Sequence, residues 1–124
     1  MDQAIAAYAT LAERWFDAWN ARDIDAILAL YADQVEFHSP VIATTGFNDT
    51  GILKTKLQLE NYLRAVLPKA STLRFTPVGS CVGVGVHTLV YRTQTGAIVA
   101  ETHRYTDHGL ILFSTVAYDS DPIS

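Results

Sequence analysis

The sequence predicts an α+β fold: three N-terminal helices packed on a curved, mostly antiparallel sheet, with a pocket between the layers. Three observations support it. The run Glu13–Pro40, ERWFDAWNARDIDAILALYADQVEFHSP, has helical spacing that changes to strict alternation near Gln34. ENYLRAVL has the spacing of one more helix, stopped by Pro68. From Thr72 the chain reads as successive strands separated by short segments that carry glycine. The order ααβ–α–ββββ is that of an α+β domain. At 124 residues the chain fits one domain, 1–124, long enough to bury about two-thirds of its unfolded surface.

In the first helix Ile5, Tyr8, Leu11, Ala12, Trp15, Ala18 and Trp19 recur at three- and four-residue intervals, while Glu13, Arg14 and Asp17 fall off that stripe. Asn20-Ala21-Arg22 forms the turn, and Asp23 caps a second helix expected to reach about Ala32, with Ile24, Ile27, Leu28 and Tyr31 as its stripe. Gln34–Ser39 alternates, Val35, Phe37 and Ser39 opposing Glu36 and His38. Pro40 cannot donate to a ladder and ends the strand or marks an edge. Ala43–Thr50 is polar and reads as a loop at the pocket mouth; a third helix follows from about Thr55 to Leu67. Strands are expected at Thr72–Val82, Val86–Thr93, Ala97–Thr106 and Leu110–Asp119, with Asp107-His108-Gly109 as a hairpin loop and Ser120–Ser124 as a frayed tail.

Composition excludes several classes. Hydrophobic residues make up 49% and charged residues 18%, which suggests apolar surface beyond a core, in a lined cavity or a subunit interface. Net charge is −4, and the nine Lys and Arg are scattered, so no nucleic-acid partner is expected. The N-terminus lacks the pattern of a secretory signal, and no apolar run approaches the roughly 20 residues of a membrane span. The lone Cys81 excludes an intramolecular disulfide, suits a reducing cytoplasm, and reads as a buried, inert thiol in SCVGVGV. The four histidines show neither H-x-H nor H-x-x-x-H spacing, so neither metal nor cofactor is expected.

AWNARDIDAILALYAD, the extended VEFHSPV, ENYLRAVL, LRFTPV, LVYR and ETHRYTDHGLILFSTVAYD follow one another as in SnoaL-like proteins of the nuclear transport factor 2-like superfamily. Over nearly its whole length the chain resembles that group, which also contains the ketosteroid isomerases. The resemblance implies a cone-shaped fold, a homodimer formed through the outer face of the sheet, and a pocket for a small hydrophobic molecule. It does not name a reaction, because the superfamily spans isomerases, dehydratases, cyclases, epoxide hydrolases and binding domains. Ketosteroid isomerases use an Asp base, a Tyr and a protonated Asp. Those positions match Ser39, Trp15 and a place on or near His103, so ketosteroid isomerase activity is not expected. The carboxylate of the cyclases and the Arg-x-Asp pair of the epoxide hydrolases are missing too.

A smaller constellation remains. Glu101, His103 and Tyr105 stand at i, i+2 and i+4 and share one face of a strand. A carboxylate beside an imidazole fixes its tautomer, which makes His103 a candidate general acid or base with Glu101 orienting it. Ile98, Ala100 and Thr102 on the opposite face would also make an acceptable core, so spacing alone leaves open which face points inward. Trp15, Trp19, Tyr31, Phe37, Ser39, Tyr62 and Tyr105 are the candidate ligand contacts; ordinary core packing is the competing role for the aromatic ones. His38 is expected to point away from the pocket, His87 to pack, and His108 to be solvated in its turn. The expectation is a cytoplasmic, homodimeric enzyme that moves protons on a small hydrophobic carbonyl or polyketide-like compound. The alternative is a non-catalytic binding or dimerisation module of the same fold.

Overall fold

The expected helical hairpin opens the chain: α1 spans Asp2–Ala21 and α2 Ile24–Leu28 in the computed structural model, which describes residues 2–121. Arg22 takes a left-handed conformation (φ 53°) and closes α1 while Asp23 N donates to Ala18 O at 3.3 Å. The Asp23 side chain accepts from Ala26 N, capping α2 as its sequence position predicts. Trp15, Phe16, Ala18 and Trp19 are buried, whereas Glu13, Arg14 and Asp17 are exposed. Ile5, expected in the apolar stripe, is 48% exposed, whereas Tyr8, one turn further on, meets the sheet with its ring 5.2 Å from that of His87.

The strands are β1 (Tyr31–His38), β2 (Ile52–Lys54), β3 (Thr76–Val82), β4 (Val86–Arg92), β5 (Ile98–Tyr105) and β6 (Ile111–Tyr118). They form one sheet in the order β2-β1-β6-β5-β4-β3. All neighbouring pairs are antiparallel except β1 and β6. The sheet is therefore mixed, with the N-terminal strand inserted between β2 and the last strand. Two further helices, α3 (Pro40–Thr44) and α4 (Lys56–Val66), flank β2, and a short 3₁₀ turn covers Leu67–Lys69. Among the described residues no helix is long and apolar enough to cross a membrane.

Several boundaries differ from expectation for identifiable reasons. The second helix stops at Leu28 rather than near Ala32, and Tyr31 begins a strand, because Ile111 N donates to Leu30 O at 2.9 Å and draws this segment onto β6. Pro40 does more than end β1: it occupies the first turn of α3, where its missing N–H is not needed, and Ser39 caps that helix by accepting from Val41 N. The predicted loop thus holds a helical turn, followed by the unforeseen β2. The β1–β2 connection closes tightly. Ser39 N donates to Gly51 O at 2.9 Å, and a Cβ added at Gly51 (φ 74°) would lie 3.0 Å from Ser39 O.

β3 starts at Thr76 rather than Thr72. It is the edge strand, and all its residues but Val82 are exposed. Cys81 lies near the end of this edge strand and is exposed, which corrects the expectation of a buried thiol: of the strand's residues only Val82 is even partly buried. Gly109 has the left-handed conformation expected of the β5–β6 turn (φ 78°). The predicted frayed tail lies outside the described residues from position 122 onward.

The faces of β5 are unambiguous. Val99, Glu101 and His103 are buried, and Tyr105 is half-buried on the same side. On that side β4 contributes His87, Leu89 and Tyr91, and β6 contributes Ser114 and Val116. Glu36 and His38 point to the outer face, where they pair at 2.6 Å and His38 lies against Phe113. His108 is exposed in its turn.

Candidate functional site

A cavity of about 600 Å³ opens between the inner face of the sheet and the helices. That volume suits a drug-sized molecule. α1 supplies Trp15 and Trp19; the end of β1 supplies Phe37 and Ser39. The loop after α3 brings Phe47, whose ring meets Tyr62 of α4 edge-on at 5.3 Å. Phe75, Tyr91, Val116 and Tyr118 close the sheet side. Thr72, Thr93, Gln94, Thr95 and Lys69 also contribute to the lining. Aromatic rings dominate, and Phe75 and Tyr91 pack 4.6 Å apart.

Among the described residues Glu101 is the one carboxylate in this wall, and it is 2% exposed. Three donors hold it. Tyr91 Oη donates to Oε1 at 2.7 Å; His103 Nε2 lies 2.7 Å and Ser114 Oγ 3.1 Å from Oε2. An ionised carboxylate accepts only, and toward that form His103 carries its hydrogen on Nε2. The strand register explains the convergence. On the inner face Glu101 stands opposite Leu89 on β4 and Val116 on β6, and His103 stands opposite His87 and Ser114. Tyr91, one step further along β4, reaches back along the sheet to the carboxylate. Burial, and secondarily Glu101, pushes the Tyr91 hydroxyl well above the usual tyrosine range, so it stays a protonated donor.

The structure brings together most of the residues singled out from the sequence. Glu101, Trp15, Trp19, Phe37, Ser39 and Tyr62 line the cavity. Burial pushes the Tyr62 hydroxyl up to about 12. Tyr31, His103 and Tyr105 lie outside the wall. Tyr31 is buried behind it, and its hydroxyl accepts from Trp15 Nε1 at 3.0 Å and Trp19 Nε1 at 3.3 Å, which fixes both indoles. Burial, then Glu101, raises its pKa. His103 is fully buried, 5.5 Å from the Trp15 ring, and touches the site through Glu101. Tyr105 faces Tyr8 and His87 instead, its hydroxyl 3.4 Å from His87 Nδ1. Among the described residues no three His, Cys, Asp or Glu are placed to hold a metal.

Sequence reasoning missed Tyr91, Ser114, Phe75 and Phe47. The period-two pattern of β4 places Tyr91 on the His87 face, but only the register against β5 reveals that its hydroxyl meets Glu101. Ser114 has no signal of its own, since a serine in a strand is equally at home facing solvent. Phe75 is placed by Asn20, whose side chain donates to Phe75 O at 2.9 Å and accepts from Phe75 N at 2.7 Å across 55 residues.

The model of the SnoaL-like domain matches residues 12–115. A SnoaL-like protein of unknown function from Burkholderia thailandensis superposes with a TM-score of 0.83 at 30% identity, covering 90% of this chain and 93% of that one. A candidate polyketide cyclase from Sinorhizobium meliloti gives 0.70 at 14% identity, covering 87% of this chain and 94% of that one. TerC, crystallised with polyporic acid, gives 0.73 at 15% identity, covering 90% of each chain. The latter two likenesses show the fold alone. No curated protein matches the sequence.

Proposed function

The chain belongs to the SnoaL-like family, and on that premise we propose that its cavity binds a small, largely apolar carbonyl or polyketide-like compound and moves a proton on it. The observation that carries this reading is Glu101, a lone carboxylate set in the wall of an aromatic cavity. A base there would take the proton from the carbon beside a substrate carbonyl, the electron pair passing to the carbonyl oxygen as an enolate. The proton then returns at another carbon, or the enolate carbon adds to a second carbonyl of the same molecule, whose π pair moves to its oxygen and takes up the proton as a ring closes. Such proton transfer by a positioned group contributes about 10²–10⁴ in rate.

The roles drawn from the sequence exchange places. Glu101 faces the substrate, and His103 becomes a positioning residue that fixes the carboxylate with Ser114. Ser39 accepts from Val41 N and keeps its own hydroxyl hydrogen for a substrate oxygen. Both indole N–H groups are committed to Tyr31, so Trp15 and Trp19 serve as apolar wall. That TerC, a protein of this fold, was co-crystallised with polyporic acid supports a small organic ligand for this chain.

The test is exchange of α-hydrogens in D₂O across a panel of apolar ketones, with binding followed by quenching of tryptophan fluorescence. For a ketone that binds, Glu101→Gln should slow enzyme-dependent exchange by about 100-fold or more while affinity changes only a few-fold. Equal exchange by wild type and variant for a bound ketone would remove Glu101 from the chemistry. Gln keeps the shape but leaves one of the donors mismatched, at a cost of about 1–3 kcal/mol, so the folded fraction is checked by circular dichroism.

A further inference from the structure

A base in an aromatic wall leaves negative charge on the substrate oxygen. In such surroundings an oxyanion without a donor is costly, and preorganised donors aimed at it supply much of the catalysis. The register of the sheet places one beside Glu101. Val99, the inner residue before Glu101 on β5, stands opposite Tyr91 on β4 and Tyr118 on β6. The two tyrosines hold matching diagonal positions on either side of Glu101, within reach of an aromatic side chain.

Tyr91 spends its hydrogen on Glu101 Oε1 at 2.7 Å. The Tyr118 hydroxyl bonds to nothing among the described residues, although its ring packs against the core and lines the cavity with Glu101 and Val116. Among the described residues the sealed side-chain polar atoms that lack a partner are His87 Nε2 and His103 Nδ1, so the Tyr118 oxygen is open to the cavity. Burial, then Glu101 and Tyr62, hold this hydroxyl above the usual tyrosine range, so it donates a hydrogen bond and keeps its proton. Rival donors in the wall are less well placed. Thr93 and Thr95 pair with each other at 2.9 Å, and Thr45 donates to Ile42 O at 3.2 Å. Lys69 is exposed. Ser39 caps α3 and Tyr62 stands on α4, both off the two strands that flank β5.

We infer that Tyr118 donates the hydrogen bond to the substrate carbonyl oxygen, beside the carbon that Glu101 deprotonates, and holds the enolate that forms. This rests on Glu101 serving as the base. As the proton passes from carbon to Glu101, the C–H pair becomes the carbon–carbon π bond and the carbonyl π pair moves to oxygen. The O–H···O bond from Tyr118 strengthens, and no proton leaves the phenol. The charge given up by the carboxylate thus reappears on an oxygen that Tyr118 faces, so the bond is worth more in the transition state than in the ground state. Ser39 is left for a second substrate oxygen. A ketone is then seated with its carbonyl toward β6.

The test uses acetophenone labelled with carbon-13 at its carbonyl, an apolar ketone with a single oxygen, bound to the full chain. On wild type its carbonyl resonance should lie downfield of its position in hexane, as a hydrogen-bonded carbonyl does. In Tyr118→Phe that shift should be lost and α-hydrogen exchange in D₂O should slow about 100-fold, while affinity changes only a few-fold. Removing an unbonded hydroxyl orphans no protein group, so the urea midpoint should match wild type. A shift retained in Tyr118→Phe, or lost instead in Ser39→Ala or Tyr62→Phe, would overturn the assignment. So would a lowered midpoint, which would show the hydroxyl bonded within the protein, and so would acetophenone that does not bind. Glu101→Gln should keep the shift and lose the exchange. A shift that needs Tyr118 without exchange that needs Glu101 would therefore support the donor and defeat the base. Exchange that needs Glu101 with a shift indifferent to Tyr118 would do the reverse.

Discussion

Asn20 ties the end of α1 to the strand side of the cavity with two hydrogen bonds to the backbone of Phe75. Its amide both donates and accepts, as a backbone unit would, so it continues a ladder where no strand is available. Asn20→Ala should cost about 1–3 kcal/mol, read as a lower midpoint in urea or heat, because a partly buried N–H and C=O lose their partners. Phe75 should also shift against Trp15 and Trp19, visible in their fluorescence, since its ring lies 5.8 and 6.0 Å from theirs. Unchanged stability and emission would show that the clamp is dispensable. Asn20 reads in the sequence as a turn residue because its partner is 55 positions away. By contrast, Trp15, Trp19 and Phe37 declared themselves through local spacing, since helix and strand periodicity identifies a buried face regardless of what it is buried against.

At the scale of elements, boundaries were least legible where backbone groups bond to side chains or distant strands. Leu73–Phe75 has strand-like composition, yet Arg74 N donates to Gln94 Oε1 and Phe75 N to Asn20 Oδ1, so this segment docks without a ladder. β2, at three residues, is too short for an alternation to register. α1, α4, β4, β5 and β6 were legible because each carries its periodicity over at least seven residues. The packing of α1 on β4 and β5 also makes a prediction about pH. His87 is held neutral under Tyr8, whereas the unfolded chain binds a proton there near the ordinary value of 6.5. As pH falls through 6.5 the unfolded state takes up more protons than the folded state, so stability is lost on the acid side and kept above it. Urea melts between pH 7.5 and 5 should show this loss, and His87→Gln should make it shallower. An identical pH slope in the variant would assign the acid sensitivity elsewhere.

For the whole molecule, the α+β architecture and the helix-covered pocket were readable from element order, because few arrangements bury those faces together. The inward direction of Glu101 and His103 was not, since both faces of β5 alternate acceptably and only pairing with Tyr91, His87 and Ser114 decides between them. Nor could spacing separate the role of Glu101 from that of His103. Adjacent inward residues on one strand differ in whether the layer above them is open, and here α1 covers His103 with Trp15 while the cavity opens over Glu101. The same large-scale arrangement leaves Cys81 exposed on the edge strand despite its apolar neighbours. On the proposed chemistry a ligand in this cavity presents its reacting carbon to Glu101, and a crystal structure with a bound, slowly exchanging ketone decides the matter. The carbon beside the carbonyl should lie within about 3.5 Å of a Glu101 carboxylate oxygen, with the apolar body against Trp15, Trp19 and Phe37. A ketone seated in the cavity with that carbon turned toward Lys69 and Thr95, away from Glu101, would contradict it.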